Sequence, residues 1–380
     1  MPLEKLLWRL CLKAHLLQGY SYTAAAACRF DFIGVSSCHL HPPNLQYRTT
    51  EYEVIDIIWL LNSFWGSFSG KICMKALTVA TRGGALAVTQ TKHVVATLEK
   101  INPGLEIAVK EISTTGDQDR RTALWNLRDT GFFTSQLEDA LMAGEADFAV
   151  HSFKDLPTAE PQGLTIAAVF DRDFVEDTLI SVPPVDSIEQ LPTGAKIGTS
   201  SLRRAAQLKH LRPDLEPTPI RGNVQTRLDK LDADEFNAVL LARAGLERLD
   251  LAGRISFIFD PAVFIPAPAQ GALGIQTRAD DAETNRIIAA IDDENARTAT
   301  NAERTILTTM QCGCHAPVGA YAAITGDEID IRAFISQPDG GNFISRHVTG
   351  PATDAIRLAE QIAHELLNAG GKEILASLEN

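Results

Sequence analysis

From Met74 onward the chain repeats one pattern: a short apolar run, a polar turn, then a helix-like stretch. Leu77–Thr81 runs into Arg82-Gly83-Gly84 and a helix over 85–98. Ala146–His151 runs into Ser152-Phe153-Lys154-Asp155-Leu156-Pro157. Lys196–Gly198 opens into Thr199-Ser200-Ser201-Leu202-Arg203-Arg204. Leu215–Ile220 ends in Arg221-Gly222-Asn223, and Ala238–Ala242 leads to Gly245-Leu246-Glu247-Arg248. Strand–turn–helix repetition calls for an α/β architecture with parallel strands. It also places the turns at the carboxyl ends of the strands, the edge where open α/β sheets bind ligands.

Those turns are unusually cationic. Arg82, Arg203, Arg204, Arg221, Arg227 and Arg248 lie at or just past strand ends, beside hydroxyls and the free N–H groups of helix N-termini. One such arginine is an ordinary surface residue, but six at equivalent edges point to a ligand with several carboxylates or phosphates. Arginines also sit where the helix dipole favours acids, a mismatch that a bound anion would relieve. In the turn after the 146–151 strand, Asp155 can serve as an acid, a base or a stabiliser of positive charge; a solvated Lys154–Asp155 pair is the plainer alternative.

The C-terminal third is different. Helical runs over 281–293 and 296–309 precede strand-like runs at 318–324, 328–335 and 343–348, followed by an amphipathic stretch over 354–370. Strands followed by helices call for a small α+β domain. At its entrance the stretch 302–319 carries Cys312 and Cys314 on a loop, where a thiol can be a nucleophile, a covalent attachment point or an inert buried group. A Cys-x-Cys-His cluster offers too few ligands for a metal site, so no metal is expected.

With 380 residues the chain is long enough for two or three domains, and a net charge of -13 argues against a general nucleic-acid binder. Residues 1–73 stand apart. They hold four of the six cysteines and three of the four tryptophans, and they lack clear periodicity until Val54–Trp65, a run too short to span a bilayer. They fit neither a secretory signal nor a transit peptide. The expectation is an extension outside the fold, such as a misplaced start codon would add, on a cytoplasmic protein with no membrane partner.

The motifs together resemble the porphobilinogen deaminase family, also called the hydroxymethylbilane synthases. The resemblance covers essentially all of the chain from Met74 and rests on His151–Pro157, Gly198–Arg204, Arg221–Val224 with Thr226-Arg227, and Gly313-Cys314-His315-Ala316-Pro317, which matches the family's Gly-Cys-x-x-Pro. It implies two domains like the halves of a type II periplasmic binding protein with a cleft between them, plus a small C-terminal α+β domain. The implied boundaries are 74–172 with 266–290 for the first domain, 173–265 for the second and 291–380 for the third. The implied enzyme is a monomer that joins four porphobilinogen units head to tail, releasing ammonia. It is primed by a dipyrromethane cofactor held through a thioether, which falls on Cys314. Asp155 takes the catalytic position. Lys154, Ser200, Ser201, Arg203, Arg204, Arg221, Gly222 and Gln270 take cofactor positions, and Arg82, Arg227 and Arg248 take substrate positions. Two departures stand out: lysines common in the family near Asn126 and Thr130 are missing, with Arg128 between them, and Gly84 replaces a common serine. The alternative is a non-catalytic two-lobed binding protein for a small polycarboxylate.

Overall fold

The computed structural model describes residues 76–113, 134–312 and 316–378. The chain divides into two units, Met1–Lys71 and Ile72–Asn380, and every described residue lies in the second. The extension over 1–73, the missing lysines around Asn126, Arg128 and Thr130, and Cys314 all lie outside the described residues.

Two five-stranded sheets share one plan. In the first, β1 (Leu77–Arg82) pairs in parallel with β2 (Ile107–Ile112) and β3 (Phe148–Ser152). β10 (Leu273–Arg278) then runs antiparallel between β3 and β4 (Leu164–Phe170), giving the order β2-β1-β3-β10-β4. In the second, β6 (Lys196–Gly198) pairs in parallel with β7 (Glu216–Thr218) and β8 (Ala238–Ala242). β5 (Asp177–Ser181) runs antiparallel between β8 and β9 (Phe257–Ile258), so the order β7-β6-β8-β5-β9 repeats the first. The chain leaves the first sheet after β4 and returns at β10, and in each sheet the antiparallel strand is the first one made after a crossover. This is the two-lobed α/β arrangement the sequence called for.

Both sheets are covered on both faces, which is why central strands such as β3 and β8 read as near-continuous apolar runs. Val79 faces a core with Val94 and Leu98 of α1 (Ala85–Ile101), whereas its neighbour Ala80 faces Leu137 and Leu141 of α2 (Ser135–Met142). In the second lobe Leu240 packs with Leu208 of α3 (Leu202–Leu211), and Val239 with Leu228 of α4 (Val224–Asp232). A short helix α5 (Arg243–Glu247) follows β8, and α6 (Ala282–Ile288) follows β10.

The third domain is an antiparallel sheet, β11 (Val318–Thr325), β12 (Glu328–Ile335) and β13 (Ile344–Pro351). Its apolar face buries Ile329, Ile331 and Ile335 against α7 (Glu294–Thr309) and α8 (Ala355–Leu366), with α9 (Lys372–Leu378) at the end. The other face carries Asp330, which pairs with Arg332 and shares a hydrogen bond with His347.

Several expectations shift. β4, β5 and β9 escape the sequence reading, because β5 begins with polar Asp177-Thr178 and β9 has only two residues. The strand expected over Leu215–Ile220 shrinks to Glu216–Thr218, since prolines at 217 and 219 cannot donate to a ladder and confine it to the sheet edge. The helix expected over 281–293 ends at Ile288 and gives way to the 3-10 turn Ala289–Ile291. The helix expected to Gly370 is interrupted there, where Gly370 takes φ 122.

Candidate active site

β3 ends in a 3-10 turn, Phe153–Asp155, that splits three neighbours three ways. Phe153 is buried against Gly274 of β10, where an added Cβ would lie 2.8 Å from its ring. Lys154 donates to Gln270 Oε1 at 2.9 Å, and Asp155 is exposed. Burial, followed by the nearby charge of Arg204, pulls the Lys154 ammonium down to about 8; Asp155 and Asp177 push the other way.

On the second lobe, Ser201 caps α3, accepting a hydrogen bond from the Arg204 N–H at 3.4 Å. Ser200 Oγ donates to the Ile220 carbonyl and accepts from its N–H at 3.2 Å, stitching the turns after β6 and β7 together. Arg203 and Arg204 both turn inward to Asp177 of β5. Arg203 Nη1 reaches Asp177 Oδ2 at 2.7 Å and the Ile265 carbonyl at 2.7 Å. Arg204 bonds Asp177 Oδ1 through Nε at 2.9 Å and Nη2 at 2.7 Å. Burial alone would raise the Asp177 carboxyl, but the two guanidiniums overcome it and hold the group far below the usual range.

An anion that relieves the mismatch at this helix start is therefore already part of the chain, in the Asp177 carboxylate. Gln270 connects this pair of arginines to the first lobe: its Nε2 donates to Asp177 Oδ1 at 3.0 Å and to the Val175 carbonyl at 2.8 Å. Lys154, Gln270, Asp177, Arg203 and Arg204 thus form one polar network across both lobes.

Arg221 and Arg227 stand beyond it. Gly222 takes φ 111 and an added Cβ would lie 2.5 Å from Thr226, so only glycine permits this turn. Asn223 then caps α4, accepting from Thr226 N–H at 2.9 Å. Arg227 Nε donates to the Gly222 carbonyl at 2.9 Å. Its guanidinium is drawn down to about 10, chiefly by burial and then by Arg204 and Arg221, with Asp155 partly offsetting them. Like charges held this close favour an anion among them. Arg82 lies at the end of β1, where its charge is felt by buried His151; burial first, then Arg82, lowers that imidazole to about 4 and keeps it neutral near pH 7. Arg248 bonds Asp171 and the Gly271 carbonyl, in the segments that join the lobes.

A small cavity of about 70 Å³ opens where all three domains meet. Lys154 and Thr158 line it from the first lobe, Ser201 and Arg203 from the second, and Arg304, Ala316 and Val318 from the third. Ala316 follows Cys314 by two residues in the sequence. Cys312, on the other side of Cys314 in the sequence, is buried in the third domain's apolar core.

Sequence reasoning missed three contributors. Asp177 hid at the polar start of an unrecognised strand. Arg304 of α7 donates to the carbonyls of Leu156 at 3.1 Å and Pro157 at 2.5 Å and lies 4.6 Å from the Phe153 ring centre, tying the third domain to the turn that carries Asp155. Glu303 beside it accepts from Ala269 N–H at 2.6 Å and Ala322 N–H at 2.7 Å and pairs with Arg172. An Arg in mid-helix carries no spacing signal, and a Glu in an amphipathic helix reads as solvent-facing.

The model of the "Porphobilinogen deaminase, dipyromethane cofactor binding domain" matches residues 77–286, and that of the "Porphobilinogen deaminase, C-terminal domain" matches 298–368. The chain belongs to the porphobilinogen deaminase family. A porphobilinogen deaminase of Roseiflexus sp. is 44% identical over 302 residues, covering 80% of this chain and 99% of that one. One from Maridesulfovibrio salexigens is 42% identical over 80% of this chain and 98% of its own. Among solved structures, the periplasmic aliphatic sulphonate binding protein SsuA from Escherichia coli is 17% identical, covering 62% of this chain and 70% of that one, with a TM-score of 0.33. At that score the likeness adds nothing to the fold, which rests on the sheet order. The family's first domain model is named for a dipyrromethane cofactor, and the cationic network described above is chemically suited to one, since that group carries several carboxylates. Among the described residues no helix is long and apolar enough to cross a membrane.

Proposed function

We propose that this chain condenses four porphobilinogen molecules head to tail into hydroxymethylbilane, releasing ammonia at each step, on a dipyrromethane primer held through a thioether to Cys314. The observation that carries this reading is the cavity lined by Lys154, Ser201, Arg203 and Ala316, of which Ala316 lies two residues beyond Cys314 in the sequence. A binding protein for a polycarboxylate would need the cations but neither a tethered primer nor Asp155.

When bound, the dipyrromethane supplies the pyrrole carbon at which the chain is extended. The protein's own part is electrostatic. Lys154, Ser201, Arg203 and Arg221 would hold carboxylates of the primer, and Arg82 and Arg227 those of the incoming unit, with guanidinium forks matched to carboxylate geometry. Arg204 and Gln270 act through Asp177, keeping Arg203 and Lys154 at a fixed spacing, and Ser200 with Gly222 shapes the turns that present Arg221 and Arg227. Asp155 accepts pyrrole N–H hydrogen bonds and offsets the positive charge that develops as ammonia departs. Its charge is felt by both Lys154 and Arg227, which supports that role. The three domains divide at 74–172 with 266–290, 173–265 and 291–380, and the enzyme works as a cytoplasmic monomer.

The test is the intact mass of the purified protein together with assay on porphobilinogen. A dipyrromethane adduct mapped to Cys314, lost in Cys314→Ala, and bilane formed from porphobilinogen support the reading. A bare polypeptide that makes no bilane overturns it, and an adduct that survives Cys314→Ala overturns the attachment point.

A further inference from the structure

Sequence resemblance puts Arg248 among the substrate ligands, but its guanidinium is turned elsewhere. Nη2 donates to the Asp171 carbonyl at 2.8 Å, to Asp171 Oδ2 at 3.0 Å and to the Gly271 carbonyl at 2.6 Å, and Nε donates to Asp171 Oδ2 at 3.3 Å. Arg248 caps α5, behind β8, and so belongs to the second lobe. Asp171 opens the outgoing crossover just past β4, and Gly271 closes the return crossover just before β10. One side chain therefore ties together both segments that join the lobes.

Those segments are also where the backbone is unusual. Asp171, Phe174, Ala269 and Gly271 take φ of 53, 55, 61 and 90. The crossovers touch, since a Cβ added at Gly271 would lie 2.6 Å from the Asp173 carbonyl. A third element reaches the same point: His93 of α1 places Nε2 3.7 Å from Asp171 Oδ2 while its ring stacks on Phe170 at 5.4 Å. Rotation of one lobe against the other must be absorbed by φ/ψ changes in the crossovers. Residues in sparsely populated backbone regions persist only where surrounding contacts hold them, and they gather at such switch points.

We propose that Arg248 is a positioning residue, a clamp on both interlobe crossovers that sets how far the cleft closes, and not a ligand for a substrate carboxylate. The inference rests on the reading of the cleft as the site of condensation. With the clamp intact, the cations of the first lobe (Arg82, Lys154) and of the second (Arg221, Arg227) are held at one spacing and meet the same ligand. With it removed the lobes sample wider openings, and affinity falls although no ligand contact has been deleted.

The experiment compares Arg248→Gln, Asp171→Asn and the double variant in the full-length, primer-loaded enzyme, by steady-state kinetics on porphobilinogen and by amide hydrogen exchange. Each single change is expected to raise KM about tenfold with kcat within about threefold, and the double variant to be no worse than Arg248→Gln alone, as for two residues acting as one unit. Exchange should quicken in 171–176 and 266–272 while β1, β3, β6 and β8 keep their protection. A wild-type KM and wild-type exchange in Asp171→Asn, with affinity lost only in Arg248→Gln, would show that Arg248 acts at the ligand and overturn the clamp. Additive losses would do the same. If Arg248→Gln does not fold, Asp171→Asn decides by the same two readouts. If the unaltered protein makes no bilane, the functional reading fails, and hydrogen exchange still decides the clamp.

Discussion

Arg172 and Glu303 form an ion pair buried where the third domain meets the crossovers, with side chains 9% and 1% exposed. Arg172 also donates to the Ala322 carbonyl at 2.9 Å, and Glu303 accepts from the N–H groups of Ala269 and Ala322. Burial raises the Glu303 carboxyl above the usual range despite Arg172 and the two N–H groups. The pair therefore fixes where β11 and α7 sit against the return crossover more than it adds stability. Deleting one partner is a different matter. Glu303→Ala strands a buried guanidinium and two backbone donors, and it should lower the unfolding free energy by about 3–5 kcal/mol. Urea denaturation reads this directly; a loss below about 1 kcal/mol would mean that water reaches Arg172 freely.

Asp177 stands in the same position towards Arg203 and Arg204. Asp177→Asn leaves two buried guanidiniums without their anion, with an expected cost of about 3–5 kcal/mol and loss of primer loading seen by intact mass. The pH dependence has a definite sign. The carboxyl is lowered on folding from its ordinary value of 3.8, so its contribution is complete above about 4 and is lost as pH falls further. Acid unfolding of the unaltered protein should steepen below pH 4, and the Asn variant should lack that component. Identical acid limbs in the two proteins would refute the assignment.

Lys154 gives a signal at the other end of the scale. Its ammonium is lowered on folding from 10.5 to about 8, so the unfolded chain binds more protons between those values and stability rises with pH across that window. Function should move the opposite way. As Lys154 loses its charge above pH 8, its hold on a carboxylate weakens and KM for porphobilinogen climbs. Lys154→Arg stays cationic throughout and should flatten the alkaline rise. A rise of equal size in that variant would assign the titration to another group.

The loop between β12 and β13 docks on the second lobe. Phe343 stacks on His210 of α3 at 4.0 Å and on Phe334 at 4.8 Å. Gly340, at φ 82, permits the approach, because a Cβ there would lie 2.6 Å from the His210 amide nitrogen. Gly340→Ala should cost about 1–3 kcal/mol, from backbone strain and lost docking together. Hydrogen exchange should then quicken at the C-terminal end of α3; unchanged protection there would show that the loop is a passive neighbour.

Legibility in the sequence followed periodicity. The parallel strands β1, β3 and β8 were readable because burial on both faces makes them near-continuous apolar runs, and β6 because it opens into the hydroxyl-rich turn Thr199-Ser200-Ser201. The turns after them placed most of the charged side chains of the site. What stayed hidden depends on strands that arrive from elsewhere. β5 and β10 enter antiparallel after crossovers, and nothing in a local window says that Asp177 will meet Arg203, or that Gln270 will reach Lys154. Arg248 was legible as a cation at a strand end, but its partners lie on both crossovers, and no spacing rule connects residues 171, 248 and 271. Glu303 and Arg304 look like the polar face of a helix until the third domain is set against the first.

The return of β10 to the first sheet also bears on the order in which the protein can be made. A chain emerging from a ribosome finishes the second sheet once Ile258 is out. The first sheet, begun at Leu77, still has a gap between β3 and β4 that only Leu273–Arg278 can fill. The lobe written first in the gene is thus completed last, and until then the facing edges of β3 and β4 lack the partner that keeps exposed strands from pairing with other chains. Nascent chains stalled before residue 273 are therefore the form of this protein most in need of a chaperone.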